Sequence, residues 1–272
     1  MLAVCATPIG NLDDVTLRVL AELREADLVL CEDTRRTQVL LDRHGVRARS
    51  LVSCHRHNEA KRVAEIVPRL AAGERVALVS DAGLPGVNDP GARLVAAAIE
   101  AGVAVTVLPG PSAVETALAV SGLAGEQYRF LGWLPRRRVE LDALWRELAA
   151  WPHPVVAFES PRRLPASLAA LAELEPQRAV AVCRELTKKF EQVARGPAAA
   201  LAARFAEPPR GEITVVVGAG MGSGPAAREE LSRAALDAVA TLLAGGTPRR
   251  VAVDVVAGLT GVGRNELYRA SL

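Results

Sequence analysis

Short apolar runs alternate with helical patterns from the start of the chain, and this alternation restricts the fold more than any other feature. The runs LAVCA (2–6), DLVLCED (27–33) and RVALVS (75–80) have the length and composition of buried strands. Between the first two lies VTLRVLAELREA (15–26), in which leucine and valine recur at helical spacing. Such an alternation predicts an α/β fold, with a mostly parallel sheet covered by helices on both faces.

A second unit of the same kind begins near Tyr128 and ends with the strand-like run EITVVVGA (212–219). Its sheet is predicted to be mostly parallel or mixed. The segment GAGMGSGPAAR (218–228) has the composition of a flexible linker, and only helical patterns follow it. We predict two α/β domains over 1–115 and 116–219, a linker over 220–227 and a small helical domain over 228–272.

Three loops at the predicted carboxyl edge of the first sheet are rich in turn residues and poor in bulky side chains. They are TPIGN (7–11), SDAGLPGVNDPG (80–91) and PGPSA (109–113). Such loops allow a ligand to approach the backbone closely, and ligands of parallel sheets bind at this edge. Because Asp81 and Asp89 would repel an anion, the loops favour a neutral or cationic ligand over a phosphate.

Several common chemistries lack their sequence motifs. The chain has no G-x-G-x-x-G after its first strand, no Walker A loop and no G-x-S-x-G nucleophile motif. The segment CHRHNE (54–59) holds a thiol, two imidazoles and a carboxylate, but no second Cys or His pair completes a tetrahedral set. We therefore predict no metal site and interpret the segment as a polar loop that faces the ligand. Ser112 is predicted to cap the helix that follows it, with Glu115 at capping-box spacing.

Composition places few limits on the partners of the chain. A net charge of +2 neither requires nor excludes a nucleic acid. The N-terminus lacks the pattern of a signal peptide, and no apolar run approaches the length of a membrane span. The cysteines Cys5, Cys31, Cys54 and Cys183 have no paired spacing, which is typical of reduced, buried thiols. We expect a cytoplasmic protein with no membrane partner.

Eight motifs in colinear order over about 2–218 resemble one known family. They are TPIGNLDD, CEDTRRT, HNE, SDAGLPGVNDPG, LPGPSA, FESPRRL, CRELTKKFEQ and GEITVVV. Together they resemble the ribosomal RNA small subunit methyltransferase I family, in the tetrapyrrole-methylase-like group. The resemblance implies a homodimer that binds S-adenosylmethionine between two α/β domains. It also implies 2′-O-methylation of a cytidine in the decoding region of 16S rRNA, within the 30S subunit.

The same resemblance implies a set of cofactor contacts on the matched motifs. The cofactor is a sulfonium cation, which agrees with the acidic, phosphate-poor loops described above. The implied contacts are Pro8, Gly10, Ser80, Asp81, Ala82, Gly83, Ser112, Ala113, Phe158, Glu185, Leu186, Gly211, Glu212 and Ile213.

Candidate catalytic residues lie on loops at the same edge. Glu32, Asp33 and Glu59 are candidates for a general base near the ribose hydroxyl, and their spacing does not single out one of them. Arg35 and Lys188 are candidates for positioning phosphates or for stabilising the developing oxyanion. The loops PRRR (135–138) and SPRR (160–163) suit contacts to an RNA backbone, or are simply solvated.

Two other functions remain open at this point. The same scaffold suits methylation of a tetrapyrrole or another small molecule. A non-catalytic sensor that binds S-adenosylmethionine and associates with the ribosome is the second alternative. The loops CEDTRRT and HRHNE favour an RNA substrate over a small molecule, and substitution of Glu32, Asp33 or Arg35 would separate an enzyme from a sensor.

Overall fold

The computed structural model describes residues 1–81, 83–86, 91–220, 225–260 and 262–272, apart from the side chains of 225–231. Within these ranges the chain forms one parallel and one mixed five-stranded sheet, followed by helices. The predicted α/β class is therefore confirmed.

The first sheet is parallel throughout and has the strand order β3-β2-β4-β1-β5. Its strands are β1 (Leu2–Cys5), β2 (Leu28–Cys31), β3 (Leu51–Ser53), β4 (Val76–Val79) and β5 (Val105–Leu108). The helices between them are α1 (Leu17–Glu25), α2 (Thr34–Arg43), α3 (Glu59–Ala71) and α4 (Ala92–Glu100).

Both faces of this sheet are buried, as the continuous apolar runs predict. On one face Val29 packs in a cluster with Leu23 of α1 and Leu41 of α2. On the other face Leu30 packs with Ile66 of α3. Alternate residues of one strand thus point to opposite faces, and each face binds its own helices through apolar contacts.

The strand order brings three predicted ligand loops together, because β1 lies between β4 and β5. The Thr7 N–H donates to the Gly83 carbonyl at 3.0 Å, and the Thr7 hydroxyl donates to the Ser80 carbonyl at 2.8 Å. On the other side, the Ala6 N–H donates to the Leu108 carbonyl at 3.1 Å. The loops after β1, β4 and β5 therefore form one continuous edge.

The second sheet has the order β6-β7-β10-β8-β9, with β6 parallel to β7 and the other neighbours antiparallel. Its strands are β6 (Arg129–Trp133), β7 (Val155–Glu159), β8 (Ala179–Arg184), β9 (Gln192–Pro197) and β10 (Ile213–Val217). One face packs on α5 (Ala113–Ser121), the helix that leaves the edge of the first sheet. The other face packs on α6 (Arg138–Leu148), α7 (Leu164–Leu174) and α8 (Ala198–Arg204).

The C-terminal segment contains helices only in its described part, as predicted. These are α9 (Pro225–Ala244), α10 (Arg249–Thr260) and α11 (Arg264–Ala270). They bury a small core of their own that includes Val239, Val253 and Leu267. Residues 221–224 of the predicted linker lie outside the described residues.

The cysteines, the helix lengths and the metal-binding side chains can be compared with the expectations from the sequence. All four cysteines are buried and free of disulfides, as predicted. No helix in the described ranges is both long and apolar enough to cross a membrane. Among those same residues, no group of three His, Cys, Asp or Glu side chains is placed to hold a metal ion.

Candidate active site

A cleft of about 720 Å³ lies between the loop edge of the first sheet and the second sheet. Loop residues 109–112 and the first turn of α5 form one wall, and residues of β6, β7 and β10 form the other. No lysine or arginine is among the described residues that line it. Seven of the predicted cofactor contacts line this cleft: Ser112, Ala113, Phe158, Leu186, Gly211, Glu212 and Ile213.

Three other predicted contacts, Pro8, Ser80 and Gly83, do not line the cleft but lie on the loops that reach it at Ile9 and Leu84. Pro8 and Ser80 are buried, and the Ser80 hydroxyl donates to the Gly83 carbonyl at 3.0 Å. Gly83 has φ +105°, and a Cβ there would lie 3.0 Å from the Pro111 carbonyl oxygen. Only glycine allows this close contact between the two loops. Ala82 lies outside the described residues.

Gly10 marks a close contact between the first unit and the second. A Cβ at this position would lie 2.5 Å from Lys188 Cγ and 2.7 Å from Thr187 Oγ1. The Asn11 N–H also donates to Thr187 Oγ1 at 3.0 Å. In the contacted loop, Glu185 and Thr187 have φ values of +51° and +64°, which is uncommon for residues with a side chain. Strained backbone of this kind often lies at functional sites.

The predicted contacts Glu185 and Glu212 form a charged cluster with Lys188. Glu185 Oε1 accepts the Glu212 N–H at 2.9 Å and the Lys188 Nζ at 3.0 Å. The Glu212 N–H, followed by the Lys188 ammonium group, lowers the pKa of Glu185. Lys188 Nζ also lies 2.7 Å from Glu212 Oε2. Two carboxylates therefore already neutralise the lysine that we predicted to bind phosphate.

Gly211 gives a testable prediction about this cluster. Its φ is +99°, and a Cβ would lie 2.4 Å from Glu185 Cγ. We expect Gly211→Ala to unfold at lower denaturant concentration than Gly45→Ala, since Gly45 also has a positive φ but nothing within 4 Å of its Cβ position. Both variants strain the backbone, and only the first adds a clash of about 1–3 kcal/mol. Equal losses of unfolding free energy in the two variants would contradict the packing argument.

The start of α5 differs from the predicted capping box. Ser112 occupies the N-cap position, but its side chain makes no capping bond within the described structure. Its hydroxyl instead donates to the Glu115 carboxylate, which also accepts the Tyr128 hydroxyl at 2.6 Å. The predicted capping bond was therefore wrong. The N–H groups of Ala113 and Val114 stay available to a ligand in the cleft, whereas the Glu115 N–H interacts with its own carboxylate.

Three aromatic side chains of the cleft, Tyr128, Phe130 and Trp133, were missed by the sequence analysis, which named Phe158 alone among them. Phe130 and Trp133 contact Phe158 edge-on, with ring centroids 5.1 Å and 5.8 Å away. With Tyr128, these side chains account for four of the nine aromatic residues in the chain. The run YRFLGWL (128–134) concentrates three of them and was the available signal.

An acidic corner lies beside the cleft, at the ends of β2 and β4. The Asp33 N–H donates to Asp81 Oδ1 at 3.2 Å, and Arg36 Nη1 lies 3.6 Å from Asp81 Oδ2. Glu32 is half-buried, and its pKa is raised by burial and by the negative charge of Asp81. The segment that begins at Asp81 reaches the cleft at Leu84. Arg36 opposes this shift, since its positive charge lowers the pKa of the Glu32 carboxyl.

The other two candidate bases are bound to nearby groups. Arg35 donates to both carboxylate oxygens of Asp33, and its hydrogen bonds lower the pKa of Asp33 to about 2. Glu59 is buried, and its Oε1 accepts the N–H groups of Gly91 at 2.8 Å and Arg93 at 3.3 Å. Glu59 therefore binds the start of α4, a contact that stabilises the helix.

Comparison with known proteins fits this geometry. The family of tetrapyrrole (corrin/porphyrin) methylases matches residues 1–202. A ribosomal RNA small subunit methyltransferase I from Mesorhizobium japonicum is 44% identical over 278 residues, which cover 100% of this chain and 91% of that protein. A protein of the same name from Thermotoga maritima is 44% identical over 79% of this chain and 97% of its own length.

The chain belongs to the ribosomal RNA small subunit methyltransferase I family. The predicted resemblance is thereby confirmed, and the chain is a methyltransferase. Solved structures of tetrapyrrole methylases share the fold of this family member, but at lower identity.

The methyltransferase CobJ has a TM-score of 0.60 and 22% identity, covering 80% of this chain and 93% of its own. Uroporphyrin-III C-methyltransferase from Thermus thermophilus, complexed with S-adenyl homocysteine, has a TM-score of 0.55 and 18% identity. That match covers 80% of this chain and 96% of the other. At these identities the likeness supports the fold alone.

Proposed function

We propose that this methyltransferase transfers a methyl group from S-adenosylmethionine to the ribose 2′-oxygen of a cytidine in the decoding region of 16S rRNA. The observation that carries the proposal is the 44% identity over the whole chain to a ribosomal RNA small subunit methyltransferase I. We further propose that the protein is a homodimer in the cytoplasm and that its substrate is the 30S subunit.

The chemistry of the cleft fits the proposed cofactor. S-adenosylmethionine, when bound, supplies a methyl carbon activated by a sulfonium cation. Ile9, Phe158 and Leu186 offer apolar surface, and the first two N–H groups of α5 offer hydrogen-bond donors. The carboxylates of Glu115 and Glu212 line the cleft, and no cation among the described lining residues opposes a positive ligand. We propose that these residues hold the cofactor.

Transfer to a ribose hydroxyl needs alignment, exclusion of water and removal of one proton. The 2′-oxygen forms a bond to the methyl carbon as the carbon–sulfur bond breaks, and the electron pair of that bond stays on sulfur. The hydroxyl proton passes to a base as the new bond forms.

Glu32 is the candidate base that the electrostatic surroundings favour. A general base works best when its pKa lies near the working pH, and burial beside Asp81 raises the pKa of Glu32 toward that range. Asp33 titrates far below it, and Glu59 is bound to α4. We propose that Glu32 accepts the proton of the 2′-hydroxyl.

We propose that exposed arginines beside Glu32 contact the phosphates next to the target. The Arg35 side chain is 89% exposed, so it reaches solvent even while it pairs with Asp33. The Arg36 side chain is 67% exposed and lies near Asp81. Such contacts position RNA without reading its sequence.

The proposal is tested with radiolabelled S-adenosylmethionine, the purified protein and three separate acceptors: unmodified 30S subunits, naked 16S rRNA and a tetrapyrrole. We expect label in the RNA of the 30S subunits. Label in the tetrapyrrole alone would replace the proposal with small-molecule methylation, the activity named for solved structures of this fold. No label in any acceptor, with cofactor binding intact, would favour a sensor instead.

A further inference from the structure

Trp133 is the most exposed aromatic residue of the cleft, and no part of the proposed function uses it. The residue is 59% exposed, although it lines the cleft and contacts Phe158. A large aromatic side chain left in water at the mouth of a binding site is an unusual use of apolar surface.

An irregularity in β6 turns Trp133 toward the cleft. Phe130 pairs with Val156 and Trp133 pairs with Phe158, so three steps along β6 match two steps along β7. The extra residue is accommodated near Gly132, which has φ +70°. Such bulges redirect a side chain, and they are rare between parallel strands.

The bulge changes the face on which the indole lies. In a regular strand Trp133 would share a face with Leu131, which packs into the core against α6 and α7. Because of the extra residue, Trp133 instead shares the face of Phe130, whose ring packs on the α5 side. Leu134, the next residue, returns to the core. The backbone distortion therefore serves one visible purpose, which is to present an indole at the cleft.

Two exposed arginines lie on the loops that follow β6 and β7, and these two loops are joined to each other. Arg163 Nη2 donates to the Leu134 carbonyl at 2.7 Å, which joins the loop after β6 to the loop after β7. Arg136 lies on the first of these loops and Arg162 on the second, and both are exposed. Neither forms an ion pair with any residue that the structure describes, whereas the neighbouring Arg137 pairs with Glu140.

We propose that Trp133 is the stacking surface for an unpaired base of the RNA substrate, with Arg136 and Arg162 contacting the adjacent phosphates. This inference rests on the proposed function. Single-stranded RNA is bound by aromatic side chains that stack on splayed bases, together with cations that follow the backbone. A chain with only three tryptophans places one of them at the cleft, on the strand that leads into the loop of Arg136.

The position of Trp133 favours an RNA base over the adenine of the cofactor. Small ligands are usually buried for most of their surface, and the half-buried rings of Phe130 and Phe158 lie deeper in the cleft than Trp133. An adenine stacked on Trp133 would stay in contact with water. A base that belongs to a larger RNA covers the indole from outside the cleft.

The test compares Trp133→Ala and Trp133→Phe with wild type in steady-state methylation of unmodified 30S subunits at saturating cofactor. We expect Trp133→Ala to raise KM for the subunits roughly tenfold, the size of one lost stacking contact. We expect Trp133→Phe to keep most of the affinity. A uniform loss of substrate binding raises KM and leaves kcat unchanged. Because Trp133 is proposed to contact the RNA and not the cofactor, calorimetry should find the Kd of the cofactor changed by less than about twofold in either variant.

Val139→Ala is the matched control, since Val139 is 74% exposed on α6 near the arginine loop and does not line the cleft. It should leave KM unchanged. An unchanged KM in Trp133→Ala, or a cofactor Kd that weakens in parallel, would overturn the role of Trp133 and leave the proposed function standing. A wild-type protein inactive on 30S subunits would instead overturn both.

Discussion

Glu32→Gln should lower kcat for methylation by about 10²–10⁴-fold, the usual contribution of a general base. The substitution keeps the size of the side chain and removes a carboxyl whose pKa is raised by burial and by the charge of Asp81. Steady-state rates on 30S subunits at saturating cofactor measure the effect, and the Kd of the cofactor should change little.

The other two predicted bases provide the controls. Asp33→Asn should keep most of the activity and stability, because Asp33 caps α2 through the Arg35 N–H and asparagine caps helices equally well. Glu59→Gln should lower the melting temperature, since it weakens the charged contact to α4, and should leave kcat nearly unchanged. A loss of kcat in either control that equals the loss in Glu32→Gln would contradict the assignment.

The pH dependence of kcat gives an independent check on Glu32. The carboxyl must be ionised to accept a proton, so activity falls as pH drops through its raised pKa. Asp81→Asn removes a charge that raises this pKa, so the acid limb should move to lower pH. If the acid limb of the pH profile does not move in Asp81→Asn, the pKa of a group other than Glu32 determines it.

Arg178→Met should lower the unfolding free energy by about 3–5 kcal/mol, the usual cost of breaking a buried ion pair. Arg178 is fully buried, and its Nη1 lies 2.5 Å from Glu175 Oε2. Its Nε donates to the Gly218 carbonyl at 3.0 Å, which joins the turn before β8 to the end of β10. Loss of the guanidinium group leaves a buried carboxylate and a carbonyl without this donor. Urea denaturation measures the change.

Arg43→Met is the matched control for Arg178→Met. Arg43, like Arg178, forms two hydrogen bonds, here both to the Asp13 carboxylate, but both side chains of this pair are more than half exposed. Exposed pairs contribute at most about 1 kcal/mol. If the two variants lose equal stability, burial is not the cause.

Local patterns were enough to predict the secondary structure and the edge at which the ligand loops meet. Strand and helix periods are properties of neighbouring residues, and the carboxyl ends of parallel strands share one edge. The loops of Thr7 and Gly83, far apart in the sequence, therefore met as expected.

Non-local contacts were not predictable from the same patterns. Glu59 follows a polar loop at a strand end, as a catalytic carboxylate would. The N–H group that it binds belongs to Gly91, which lies on another loop. Lys188 likewise meets Glu212, which comes from a different strand end. Regular alternation along β6 would place Trp133 in the core with Leu131, and Gly132 was the available sequence signal for the bulge.

The most direct test of the proposed activity is the position of the added methyl group. Unmodified 30S subunits are methylated by the wild-type protein, and their 16S rRNA is digested to nucleosides for mass spectrometry. We predict 2′-O-methylcytidine that is absent without the protein and strongly reduced with Glu32→Gln. A methyl group on a base, or on the ribose of another nucleoside, would contradict the proposal.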